Sequence, residues 1–96
     1  MNHRKMGKWA LLAAVVLAAG CSPEKDCRDG IKQLKPRVEG AIGTGEHAEA
    51  NLQISQAYTD MMEAEAKAAN GDFPGCLEEI EQARVLLNKS QRTNQQ

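Results

Sequence analysis

Apolar residues in this chain fall into one unbroken block followed by three periodic stretches. Residues 10–19 are apolar without interruption, and beyond Cys21 the apolar positions thin out and begin to recur at helical spacing. Cys27, Ile31, Leu34, Val38 and Ile42 step by four, three, four and four, which traces one face of a helix over about residues 24–39. Gly30 weakens that helix. Pro36 removes an amide donor and crowds the preceding turn, so a kink near residues 32–35, or two short helices, is expected. Gly40, Gly43 and Gly45 then form a flexible connection.

A second helix is predicted over residues 46–70, which hold no glycine or proline and many alanines. Ala50, Ile54, Ala57, Met61, Ala64 and Ala68 make a heptad seam of mostly small residues, widened on one side by Tyr58 and Met62. Asn70 and Gly71 stop it, with the glycine available for a left-handed cap. Asp72 can then cap a third helix, residues 73–88, by accepting from the Gly75 amide, and Pro74 in its first turn loses no needed bond. Its stripe is Phe73, Cys76, Ile80, Ala83 and Leu87, flanked by Leu77 and Leu86. The helix should fade at residues 88–90, leaving 91–96 as a frayed polar tail. No alternating pattern competes. The fold class is all-α: a small three-helix domain built on an antiparallel helical hairpin.

The leading block reads as an address. Arg4, Lys5 and Lys8 precede an apolar run too short for a hydrocarbon core of ~30 Å, and small residues follow it. That order makes a secretory signal peptide. Its end, Leu17-Ala18-Ala19-Gly20-Cys21, resembles the signal of bacterial lipoproteins. The family's usual leucine three places before the cysteine is Ala18 here, with Leu17 one step further out. The resemblance implies cleavage between Gly20 and Cys21 and acylation of Cys21, so that the membrane is met through a lipid anchor. Two or more acyl chains hold a protein durably on a bilayer, where one does not. Ser22 follows the cysteine, in place of the aspartate that retains enterobacterial lipoproteins at the inner membrane. By analogy the address is the periplasmic face of the outer membrane. The chain then divides into a signal peptide (1–20), a lipidated tether (21–26), a helical domain (27–90) and a tail (91–96).

A second, smaller resemblance lies at the hairpin. Gly71-Asp72-Phe73 followed by Cys76, Ile80 and Ala83 looks like the turn and second helix of a single tetratricopeptide repeat. Asp60, Glu63 and Ala64 stand where that family expects tryptophan, leucine and glycine. A solenoid also needs three or more repeats to present a groove, so repeat-type peptide binding is not expected.

Composition narrows the function classes. Residues 21–96 keep 27 hydrophobic residues, of which nine are alanine and three cysteine, leaving 15 large apolar side chains. That excludes a multidomain enzyme and a nucleotide-binding α/β fold. The same stretch carries a net charge of −4, and residues 40–83 hold nine acids against Lys67 alone. A phosphate backbone would be repelled, so no nucleic-acid partner is expected.

Little else invites chemistry. Ser22, Ser55 and Ser90 have no base or glycine elbow around them, and pairs such as Glu78/Glu79 and Glu63/Glu65 read as solvated charges. No enzymatic activity and no cofactor are expected. With Cys21 taken by lipid, Cys27 and Cys76 form an even pair in an oxidising compartment. Each occupies one end of its helix's apolar stripe. If both outer helices run antiparallel to the middle one, the two thiols meet at the same end, and a disulfide is expected. Two reduced, buried cysteines are the alternative, and a zinc site using Cys27, Cys76 and His47 would need a fourth ligand and would forfeit the bridge. Two functional classes follow. The first is a structural or protein-interaction lipoprotein, pilotin-like or assembly-associated, docking an envelope protein partner through the apolar surplus at Leu52, Met62, Val85 and Leu86. The second is a periplasmic small-ligand or metal-binding lipoprotein using Cys27, Cys76 and His47.

Overall fold

The computed structural model describes residues 22–96. Within them lie three helices: α1 (Pro23–Ala41), α2 (Ala48–Ala69) and α3 (Phe73–Asn94). The fold is the all-α three-helix domain that the periodicity predicts. Gly20, Cys21 and the whole signal peptide lie outside the described residues.

Local chemistry accounts for each helix end. Ser22 caps α1, its Oγ accepting from the Lys25 amide at 3.1 Å, with Pro23 in the first turn, where no amide is missed. Glu24 and Asp26 add negative charge beside the positive end of the helix. α2 ends in a paired-bond turn around Gly71 at φ +81°. The Gly71 amide donates to the Ala68 carbonyl at 3.0 Å and the Asp72 amide to the Lys67 carbonyl at 2.8 Å. Asp72 then turns its side chain forward, and Oδ1 accepts from the Gly75 amide at 3.0 Å to start α3. One residue thus closes one helix and opens the next.

One alternative for helix extent falls away and one expectation is corrected. Of the kink or two short helices expected at Pro36, two helices do not form; a single helix, α1, spans it. Pro36 and Lys32, whose carbonyl loses its partner, are both exposed, so solvent can satisfy the orphan oxygen. α3 does not fade at residues 88–90 but runs to Asn94. Its last turns carry the seam onward with small polar residues. Ser90 is 1 % exposed and donates to the Leu87 carbonyl at 2.6 Å, while Thr93 Oγ1 donates to Gln53 Oε1 of α2 at 3.0 Å. The Asn94 side-chain carbonyl accepts from the Glu46 amide at 2.9 Å, tying the tail to the start of α2.

Named contacts fix the helix directions. Lys67–Glu79 near the turn and Gln53–Thr93 at the far end make α2 and α3 antiparallel. Cys27–Cys76 and then Arg37–Asn88 run in the same order along α1 and α3, which are therefore parallel. Lys35 bridges α1 to Glu65 of α2 at 3.0 Å. The core gathers Cys27, Leu34, Val38, Ala57, Met61, Ala64, Cys76, Ile80, Ala83 and Leu87. Gly30 has a packing role besides weakening α1: a Cβ there would lie 2.8 Å from Ile80 Cδ1, so its absence lets α1 sit close on α3.

Candidate functional site

The cysteine pair meets at the common start of α1 and α3. Cys27 and Cys76 are joined by a disulfide with a Cα–Cα distance of 5.8 Å, and both are fully buried. They are structural there, with no thiol left to ligate a metal. His47, the third residue of the expected zinc set, does not join them. It occupies the cap position of α2 without a side-chain cap bond, next to Glu46, whose amide reaches Asn94. Eighteen residues of α3 separate Asn94 from Cys76, or about 27 Å along the axis. Cys27, Cys76 and His47 therefore do not form one site.

The apolar surplus divides. Leu52 is 58 %, Met62 47 % and Val85 50 % exposed. Leu86 is half-buried and packs against the core cluster, so it belongs with the interior more than with a docking face. Leu52 lines a shallow depression with Ser55, Gln56, Thr59 and Asp60 on α2. Tyr58 shares another recess with Ile42, Gly43, Asn51 and Ile54.

A constellation of carboxylates lies between α2 and α3, about two to three helical turns from Gly71. Asp60 and Glu63 project from α2, Glu79 from α3, and each offers a carboxylate oxygen within 4.8 Å of the others. Asp60 is half-buried and Glu63 exposed, but Glu79 is only 6 % exposed, which corrects its assignment as a solvated charge. Its Oε1 lies 3.9 Å from Lys67 Nζ, beyond ordinary hydrogen-bonding reach, and its Oε2 is buried with no hydrogen-bond partner among the described residues. A hydrogen bond with the Glu63 carboxyl, then burial, holds the Glu79 pKa above the ordinary carboxylate value, against the pull of Lys67. Burial, then Glu63, raises Asp60 as well. The arrangement concentrates three oxygen donors and one ammonium in a space open to solvent on the Glu63 side.

Spacing could have flagged Glu79. It stands three residues after Cys76 and four before Ala83, on the buried stripe itself. Asp60 and Glu63 are one turn apart on α2 and flank the seam residues Met61 and Ala64. Comparison of the chain with protein-family profiles, with curated proteins and with solved structures finds no match.

Proposed function

We propose that this chain is a lipid-anchored bacterial envelope protein whose helical domain acts, without enzymatic activity, as a structural or protein-interaction module. The observation that carries the reading is the Leu17-Ala18-Ala19-Gly20-Cys21 sequence behind a basic start and a short apolar run. The membrane is reached by acylation of Cys21, and Ser22 in place of the retaining aspartate favours the periplasmic face of the outer membrane, by analogy with enterobacterial lipoproteins. The disulfide between Cys27 and Cys76 suits an oxidising compartment. Among the described residues no helix is long and apolar enough to cross a membrane.

Exposed Leu52, Met62 and Val85 are the residues offered to an envelope protein partner, and methionine adapts readily at such surfaces. A pilotin-like escort of an outer-membrane assembly protein is one concrete form, by analogy of size and shape. The test is fractionation of bacterial cells expressing the full chain or Cys21→Ser. The wild type should sediment with outer membranes, and the variant should lose its lipid and leave the membrane fraction. A Cys21→Ser protein that stays membrane-bound contradicts the anchor. For the partner surface, a photo-crosslinker at position 52 or 62 should give one discrete adduct in cells, and its absence at both positions contradicts that docking face.

A further inference from the structure

We infer that Asp60, Glu63 and Glu79 form a binding site for a hard divalent cation, Ca²⁺ by its coordination habit, seated between α2 and α3. The inference is independent of the lipid anchor, which can fail without touching it.

The donor set comes first. Three carboxylates from two helices offer oxygens within 4.8 Å of one another, with no sulfur or imidazole among them. Oxygen-only donors favour Ca²⁺, Mg²⁺ or Mn²⁺ over softer ions such as copper or zinc. Coordination habit then discriminates. Ca²⁺ accepts about 6–8 oxygens in flexible geometry, whereas Mg²⁺ demands a near-ideal octahedron and usually keeps to one or two carboxylates, so three carboxylates completed by water suit Ca²⁺.

A separate observation asks for a ligand at this spot. Glu79 has a side chain 8 % exposed, and its Oε2 has no hydrogen-bond partner among the described residues. A buried carboxylate oxygen without a donor is costly, and native proteins seldom leave one so. Lys67 does not resolve it. Its ammonium stands 3.9 Å from the other oxygen of Glu79 and is one positive charge facing three acids. The surrounding chain adds no further cation from residue 40 to residue 83, so the local field draws positive ions in.

Glu63 is exposed and Asp60 half-buried, so water can complete the coordination sphere and the ion can enter without unfolding the hairpin. Three carboxylates with no dedicated ligand loop place the expected dissociation constant on the order of 10⁻⁴–10⁻³ M, the range of extracellular calcium modules. Bound there, the ion would clamp α2 to α3.

The test is isothermal titration of CaCl₂ into the full chain in nonionic detergent, at near-neutral pH and constant ionic strength. The variants are Glu79→Gln, Glu63→Gln and the exposed neighbour Glu78→Gln, with circular dichroism confirming that each is helical. The expected result is one saturable event per chain, abolished by Glu79→Gln, weakened about 10-fold by Glu63→Gln and unchanged by Glu78→Gln. No saturable heat in the wild type overturns the inference, and so does Glu79→Gln binding like wild type. Equal losses in Glu79→Gln and Glu78→Gln would mark diffuse condensation on an acidic surface and overturn it too. A wild type indifferent to Ca²⁺ but stabilised by acid through Glu79 would show that the occupant is a proton.

Discussion

Breaking the bridge between Cys27 and Cys76 should release α1 while the α2–α3 hairpin stays formed. The disulfide closes a loop across a sequence separation of 49 residues. In the chain-entropy treatment a loop of that length restricts the unfolded chain by about 4 kcal/mol at 25 °C. Small domains are stable by only ~5–15 kcal/mol in total, so the bridge supplies a large fraction here. The loss falls unevenly. α1 keeps Leu34 and Val38 in the core and the Lys35–Glu65 ion pair, but its first turns lean on Cys27 and on the close Gly30–Ile80 approach. α2 and α3 keep the Ala57, Met61, Ala64, Ile80, Ala83 and Leu87 seam. The paired Cys27→Ala/Cys76→Ala variant avoids stranded hydroxyls at two fully buried positions. Urea unfolding should show a loss of about 4 kcal/mol, and the reduced wild type should behave alike. Hydrogen exchange should show protection falling first over residues 24–42, with residues 48–94 largely protected. Uniform loss across all three helices, or no change, would refute the claim that the bridge pins α1 to the hairpin.

Ala64→Leu, at a fully buried contact between helices, should overpack the seam and lower stability by about 1–3 kcal/mol; an unchanged melting temperature would put that seam at the surface. Thr93→Val should leave buried Gln53 without its hydroxyl partner and cost about 1–3 kcal/mol, whereas a neutral result would mean the last turns of α3 are frayed. In metal-free buffer, Glu79 makes stability fall as pH rises. Its folded pKa lies above the ordinary 4.5, so the folded state holds the proton more tightly, and the stabilisation present in acid is lost as pH climbs from 4.5 through the raised value. The charged groups facing it are Asp60, Glu63 and Lys67. Glu79→Gln should flatten that slope in chemical denaturation at a series of pH values, and a slope equal to wild type would contradict the burial of Glu79.

Much of the fold is legible because it rests on local chemistry. The Asn70-Gly71-Asp72 turn could be anticipated from residue type, since a left-handed position favours glycine and an aspartate before Phe73-Pro74 can cap. The meeting of Cys27 with Cys76 follows from stripe positions once the helix directions are assumed. What the chain hides depends on partners far away in sequence. Ser90 and Thr93 look like a solvated tail because their polarity is read alone, but Thr93 faces Gln53 forty residues earlier. Pro36 breaks isolated helices, yet here the lost bond faces solvent and α1 has a core to lie on. Gly30 looks like a weakness until Ile80 is placed against it. Leu86 reads as surface from its place beside the stripe, but α3 turns it partly inward against the core. Glu79 hides for the same reason: its acidity argues for solvent while its spacing places it on the buried stripe. The carboxylate constellation became visible only when Asp60 and Glu63 were seen across from it.

A lipid anchor at Cys21 is the feature on which the proposed role of this domain depends. Intact-mass spectrometry of the protein extracted from bacterial membranes tests it. The expected chain begins at Cys21 and carries acyl mass on that residue, with Cys27 and Cys76 bridged. A mature chain that begins elsewhere, or one that holds an unmodified Cys21, would contradict it.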